Sequence, residues 1–202
     1  MPRAPLRLPT ANQVRIIGGK WRRQLLHFPA AADLRPTPDR VRETLFNWLG
    51  QDLSELATLD LFAGSGALSF EALSRGAALA VAVDSGERAV AGLRDNAAAL
   101  DATGLEIHRG DALGFLRRET RGFDLIFLDP PFGEDWMPRL LPLIPARLNA
   151  GGWLYIEQAQ AAKSLPGWEV FRHQRAGQVH YHLLRREKDT VANVDIQRKS
   201  RP

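Results

Sequence analysis

Four aspartates, Asp60, Asp84, Asp111 and Asp129, fall at the ends of four successive apolar runs of this 202-residue chain. One aspartate after a strand is commonly a helix N-cap. Four in succession are not explained by capping alone, and the carboxyl edge of a parallel sheet is where α/β proteins bind ligands. The last of the four stands in Phe123-Asp124-Leu125-Ile126-Phe127-Leu128-Asp129-Pro130-Pro131-Phe132. Each proline fixes its own φ, lacks an N–H and keeps its predecessor out of the α region. The result is a stiff extended turn offering the Asp129 carboxylate, a backbone carbonyl outside any helix and the aromatic face of Phe132. That combination suits a planar ring bearing an amino group. The lone pair of an exocyclic amino nitrogen is delocalised into its ring, so the nitrogen is a poor nucleophile. Two acceptors pulling on its hydrogens localise the pair while an aromatic face fixes the plane.

The Gly64-Ser65-Gly66 turn follows a strand and opens a helix, so a ligand is expected against that helix's amino end. A dinucleotide fingerprint needs a third glycine where Ser69 stands, which weakens a pyrophosphate reading. Asp84, 18 residues beyond Gly66, can take both hydroxyls of a ribose. The Asp111 carboxylate can accept from an adenine amino group while the Ala112 N–H donates to the ring, and Asp60 can meet an ammonium. Asp129-Pro130-Pro131-Phe132 resembles the catalytic motif of S-adenosylmethionine-dependent methyltransferases that modify exocyclic amino groups of bases. With that resemblance, the cofactor-binding set expected is Asp60, Phe62, Ala63, Gly64, Ser65, Gly66, Asp84, Ser85, Asp111, Ala112 and Asp129. The expected catalytic set is Asp129, Pro130, Pro131 and Phe132.

The elements that must position these residues alternate. Strands are predicted over 57–62, 77–83, 105–108, 123–128 and 152–157. Helices are predicted from Gly66 to about Arg75, after a Ser85 cap, after Asp111, and over 137–148. Residues 168–173 and 179–185 pair as an antiparallel hairpin about Ala176-Gly177. The expectation is a doubly wound, mostly parallel sheet ending in that hairpin, over roughly 50–186. Before it, Val14–Phe28 reads as a hairpin turning at Gly18-Gly19. A helix runs from Thr37 as N-cap and Pro38 at N1 to Gly50, with Val41, Leu45, Trp48 and Leu49 on its apolar face. Residues 1–13 and 187–202 read as a disordered end and a polar tail.

Hydrophobic content of 45% and charged content of 25% fit a soluble globular domain. The absence of cysteine excludes disulfides, thiolate metal sites and a cysteine nucleophile. No metal site is expected: His180 and His182 read as one face of a strand. No apolar run is long enough for a membrane span and the amino end has no signal-like core, so a cytoplasmic protein without membrane contact is expected. The net charge of +4 is uneven. Residues 1–48 carry nine Lys and Arg against three Asp and Glu, whereas 49–182 carry twelve against seventeen. A basic arm on an acidic body suits a polyanion. Arg15, Lys20, Arg22 and Arg23 beside Trp21, with Arg35, Arg40 and Arg42, form the expected RNA-binding set.

With these residues assembled, the sequence resembles the bacterial 16S ribosomal RNA guanine-N2 methyltransferases. The likeness runs through Arg15–Arg22, Arg35–Leu49, Asp60–Leu68, Asp129–Phe132 and Gly177–Val179, covering about residues 14–186. The segment ahead of the sheet discriminates, because amino-methyltransferases at large share only the glycine turn and the Asp-Pro-Pro turn. Asp84 stands where that family usually has Glu. The resemblance implies a Rossmann-like class I methyltransferase, with a basic RNA-binding hairpin and helix over 14–49 and the catalytic domain over 50–186. It implies S-adenosyl-L-methionine as cofactor and 16S rRNA as partner, within the small subunit or an assembly intermediate, with the protein acting as a monomer. An adenine-N6 methyltransferase acting on DNA or RNA is the alternative within enzymes. From another class, the alternative is an RNA-binding assembly factor without chemistry.

Overall fold

The computed structural model describes residues 12–29, 37–131, 134–162 and 165–187. Phe132, Arg35 and most of the two ends (1–11 and 188–202) lie outside the described residues. Two short strands, β1 (Asn12–Arg15) and β2 (Leu25–Phe28), and helix α1 (Asp39–Leu49) precede the main sheet. Then β3 (Ala57–Asp60), α2 (Ala67–Ser74), β4 (Leu79–Asp84), α3 (Glu87–Leu100), β5 (Leu105–Arg109), α4 (Ala112–Arg118) and β6 (Phe123–Leu128) alternate. A single turn of helix α5 (Met137–Leu140), β7 (Leu148–Gln158), β8 (Trp168–Ala176) and β9 (Val179–Arg186) complete the chain.

The seven-stranded sheet has the order β5-β4-β3-β6-β7-β9-β8, parallel from β5 to β7, with β9 and β8 antiparallel. This is the expected doubly wound α/β sheet, and its order reverses between β3 and β6. Alternation along each strand feeds two cores. Val81, Val83, Ile126, Leu128, Leu154 and Ile156 face α4 and α5. Ala80, Ala82, Leu125, Phe127 and Tyr155 face α1, α2 and the small β1–β2 sheet. Each fully buried Val, Leu, Ile or Phe among them contributes roughly 1.5–3 kcal/mol. The same alternation puts Asp60, Tyr155 and Glu157 on the second face.

The amino-terminal extension is fastened by a buried charge. Glu71 on α2 accepts from the Ile17 and Gly18 N–H groups at 2.8 Å each, and from Arg75 Nε at 2.8 Å. Arg42 is wholly buried on α1 and reaches Glu71 at 3.4 Å, Asp39 at 2.6 Å and the carbonyls of Arg15 and Thr37 at 2.8 and 3.1 Å. Leaving either charge alone in that interior would cost about 3–5 kcal/mol. Gly19, at φ 74°, is needed here, because a Cβ would overlap the Ser74 carbonyl.

Several local expectations are corrected. The hairpin does not turn tightly at Gly18-Gly19: Arg15 pairs with Leu25 and Ile16 exchanges backbone hydrogen bonds with Gln24 and Arg23, so residues 17–22 form the connection, moulded onto Glu71 and Ser74. Thr37 does not cap α1; Pro38 precedes the helix without a side-chain cap, and the Thr37 hydroxyl turns elsewhere. Ser85 does not cap α3, which starts after Gly86. The helix expected over 137–148 is cut to Met137–Leu140 and a 3₁₀ turn at Ile144–Ala146, because Pro142 and Pro145 lack the N–H donors a helix requires. The hairpin of β8 and β9 does turn at Gly177, at φ 60°.

Candidate active site

A cleft of about 380 Å³ opens at the carboxyl edge of the sheet, where β3, β4, β5 and β6 end. Phe62, Ala63, Gly64, Ser65, Ser85 and Ala112 line it together with the four strand-end aspartates Asp60, Asp84, Asp111 and Asp129. Pro131 also lines it, while Gly66 does not. Gly66 has φ 79° and sits against Leu93 and Phe70, so its contribution is the turn itself.

Each carboxylate is set by its own neighbours. Asp84 ties its strand end to both flanking loops, accepting from Gly64 N–H at 2.8 Å and Gly86 N–H at 2.7 Å. Its side chain also lines the cleft. Asp111 caps α4 through Gly114 N–H at 2.7 Å, so the capping explanation holds for one of its oxygens. The first-turn amides of α4, Ala112 among them, have no acceptor within their own helix. Asp60 is 3% exposed and accepts from Ser69 Oγ at 2.9 Å and Phe62 N–H at 3.4 Å. Ser69, at the position of the missing third glycine, therefore holds Asp60 in place.

Sequence reasoning missed several members of the site. Glu157 stands one residue before the end of β7 as another strand-end acid and is 4% exposed. The criterion that selected the other four would have found it. It accepts from Tyr155 Oη at 2.8 Å and Thr37 Oγ1 at 3.1 Å, and Thr37 lies 3.4 Å from Asp129 Oδ2. Thr37 was hidden by its resemblance to a helix cap. Trp136 packs edge-on against Phe62 at 5.2 Å in the cleft wall and carries Arg139 over its ring at 4.8 Å.

Asp60, Asp129 and Glu157 thus share one corner on adjacent strands. Burial, then the Glu157 and Asp60 charges, raises Asp129 well above the usual carboxylate range. Burial raises Glu157 too. Asp60 is pushed up to about 7, by burial first and by Asp84 and Glu157 after it, against the Ser69 and Phe62 hydrogen bonds. An unfolded Asp titrates near 3.8. Between there and 7 the folded chain keeps a proton the unfolded chain has lost, so stability falls as pH rises through that window and levels above it. The ligand-free protein is expected to melt lower at pH 8 than at pH 5, and Asp60→Asn to remove part of that slope. The Asp60 share is on the order of 4 kcal/mol at most. Melting curves with the same slope in both proteins would clear Asp60 of this role.

The basic arm is placed differently from the expectation. Arg15, Lys20, Arg22, Arg23 and Arg40 are exposed. Arg42 is buried and leaves the RNA-binding set, because its charge is spent on Glu71 and Asp39. Trp21 packs edge-on against Phe70 at 6.4 Å, under Lys20 Nζ at 4.2 Å, so much of its ring is committed to the core. Lys20 and Trp21 bind Ser74 at the carboxyl end of α2, whereas the cleft lies at its amino end. An eight-residue helix, about 12 Å long, separates them. Arg40, near Thr37, is closer to the cleft.

Among the described residues no group of His, Asp and Glu is arranged to hold a metal ion. His173, His180 and His182 instead stack across β8 and β9, with His173 and His182 ring centres 4.3 Å apart. Among the same residues no helix is long and apolar enough to cross a membrane.

Residues 14–185 match the model of a family described as Conserved hypothetical protein 95. Ribosomal RNA small subunit methyltransferase D of Escherichia coli K12 is 38% identical over 195 residues, covering 92% of this chain and 96% of that one. The protein of the same name from Haemophilus influenzae is 34% identical, covering 88% and 97%. The solved structure of yhhF from Escherichia coli superposes with a TM-score of 0.78 at 38% identity, covering 87% of this chain and 99% of that one.

Proposed function

Because the chain belongs to the Conserved hypothetical protein 95 family, among S-adenosylmethionine-dependent methyltransferases, we propose that it methylates the exocyclic N2 of a guanine in 16S ribosomal RNA of the small subunit. The observation that carries this reading is the position of Asp129: it closes the cofactor cleft on one side and stands before the stiff Pro130-Pro131 turn on the other. A base presented there meets the carboxylate at the boundary between the two ligands.

When bound, S-adenosylmethionine supplies a methyl group made electrophilic by a sulfonium. The chain's residues fit such a group. The carboxylate of Asp84 suits a ribose diol, Asp111 with the Ala112 N–H suits an adenine edge, and Asp60 suits an ammonium. Phe62 and Trp136 give the cleft an apolar wall. On the substrate side, Asp129 accepts from the amino group and orients its lone pair. Phe132, outside the described residues, completes the Asp-Pro-Pro-Phe set as the face on which the base rests. A paired guanine buries its N2 in the minor groove, so an unpaired or flipped base is the substrate form. Arg15, Lys20, Arg22, Arg23, Arg35 and Arg40 supply attraction that the acidic body lacks. The reaction is placed in the cytoplasm, on naked RNA or on a small-subunit particle, with the enzyme as a monomer.

Purified protein with methyl-labelled cofactor should label small-subunit RNA in preference to large-subunit RNA, the label appearing as N2-methylguanosine after digestion. N6-methyladenosine would replace this reading with the adenine enzyme, and absence of transfer would leave an assembly factor. Asp84→Ala should weaken cofactor binding by about 2–4 kcal/mol, the worth of two charge-assisted hydrogen bonds. Part of that loss comes from releasing the Gly64 and Gly86 amides that Asp84 now holds. Calorimetry showing unchanged affinity in a folded variant would remove Asp84 from the site.

A further inference from the structure

We infer that Thr37 and Glu157 form a one-proton relay for Asp129, in which the Thr37 hydroxyl passes the Asp129 proton to Glu157 and leaves Asp129 anionic toward the amino group. The inference rests on the proposed amino methylation and adds how its proton is handled.

The hydroxyl carries the argument. Thr37 Oγ1 lies between two carboxylates, 3.1 Å from Glu157 Oε1 and 3.4 Å from Asp129 Oδ2. A hydroxyl has one hydrogen and can donate to only one of them. The second contact is attractive only where that carboxyl carries a proton and donates to Thr37. Glu157 Oε1 also receives the Tyr155 hydroxyl at 2.8 Å, so Glu157 is the anion of the resting site and Asp129 the acid. Moving both hydrogens one step along Asp129–Thr37–Glu157 reverses the pair.

The described charges near this corner agree with a single shared proton. Asp60 on β3, with Asp84 beyond it, and Glu157 on β7 are all acidic. Burial, then the Glu157 charge, raises Tyr155 well above its usual value, so it presents a neutral hydroxyl. Glu134 adds another acid at the cleft wall. Arg42, the described cation bonded to Thr37, donates to its carbonyl rather than to its hydroxyl, and is matched by Asp39 and Glu71. Among the described residues, two full negative charges on Asp129 and Glu157 would find no counter-ion at this corner.

Chemistry needs the relay. As the carbon–sulfur bond breaks with its electron pair staying on sulfur, the nitrogen gains a bond to carbon and must release one proton. An anionic Asp129 accepts that proton and returns to its resting form. The proton already passed to Glu157 leaves on the other side, because Glu157 lines a neighbouring cavity of about 410 Å³ with Pro130, Pro131 and Gln158. That exit does not require the substrate to move. Thr37 and Glu157 are positioning residues, since neither is placed against the reacting nitrogen.

The test uses Glu157→Gln, Thr37→Val and Thr37→Ser in the full chain, with two readouts. In the cofactor-free protein, carbon-13 NMR of labelled aspartate should show the Asp129 titration displaced downward in Glu157→Gln, which loses a negative neighbour. It should also move downward in Thr37→Val, where the protonated Asp129 loses the hydroxyl it donates to, and stay in place in Thr37→Ser. In single turnover, the plateau rate of methyl transfer should fall at least tenfold in Glu157→Gln and Thr37→Val and stay within threefold in Thr37→Ser. A plateau within twofold of wild type in Thr37→Val, or an Asp129 titration that ignores both residues, overturns the relay. So does Thr37→Ser failing as Thr37→Val does, which would make Thr37 a packing residue. If Glu157→Gln does not fold, the two Thr37 variants decide alone. Wild-type product other than a methylated exocyclic amine would overturn the functional reading, and with it the relay's purpose, whereas a flat response with N2-methylguanosine overturns the relay only.

Discussion

Asp129→Ala is expected to lose methyl transfer by about three orders of magnitude, the middle of the range for a group that handles a proton. Cofactor affinity should stay within a few-fold. The reason is its place: Asp129 borders the cofactor cleft but carries none of the contacts assigned to ribose, adenine or ammonium. Asp129→Asn should be milder, about 10–100-fold, because an amide oxygen still accepts from the amino group but cannot take its proton. Neither variant should unfold, since the hydrogen bond found for the Asp129 carboxyl is the long 3.4 Å contact with the Thr37 hydroxyl, and it holds no backbone group. Single-turnover labelling and calorimetry separate the two effects. Wild-type rates in both variants would place the chemistry elsewhere.

Replacing Lys20, Arg22 and Arg23 together with Ala should weaken RNA binding about tenfold or more at low salt, and flatten the salt dependence of log K by about 2. The single-turnover rate at saturating RNA should not change. These three exposed side chains lie about one α2 length from the cleft, so they anchor flanking phosphates and do not touch the target base. The loop backbone is held by Glu71 and Ser74 independently of the three side chains, so the fold should survive. A triple variant with normal affinity and an unchanged salt slope would show that the loop serves structure and that RNA lies elsewhere.

The sheet was legible because its determinants are local. Apolar runs, strand-end aspartates and glycine turns each announce themselves within ten residues. The acids lining the cleft were legible too, since Asp84 ends β4 and Asp111 follows β5 closely. What escaped depends on partners far away in sequence. Thr37 carries every local mark of a helix cap, but its hydroxyl is claimed by Glu157, 120 residues later. Arg42 reads as one more cation of a basic arm until Glu71, 29 residues on, turns it inward. The helix expected over 137–148 failed for a local reason that was in plain view: Pro138, Pro142 and Pro145. Glu157 was equally visible, at the end of a strand whose position was expected, and lacked only the motif that drew attention to Asp129.

The central claim, that this chain places one methyl group on the N2 of a guanine in small-subunit ribosomal RNA, is tested most directly by mass spectrometry of that RNA from cells with and without the gene. The account predicts one N2-methylguanosine present in the first and absent in the second, restored by the wild-type gene and not by Asp129→Ala. An identical set of N2-methylguanosines in both RNAs would contradict it.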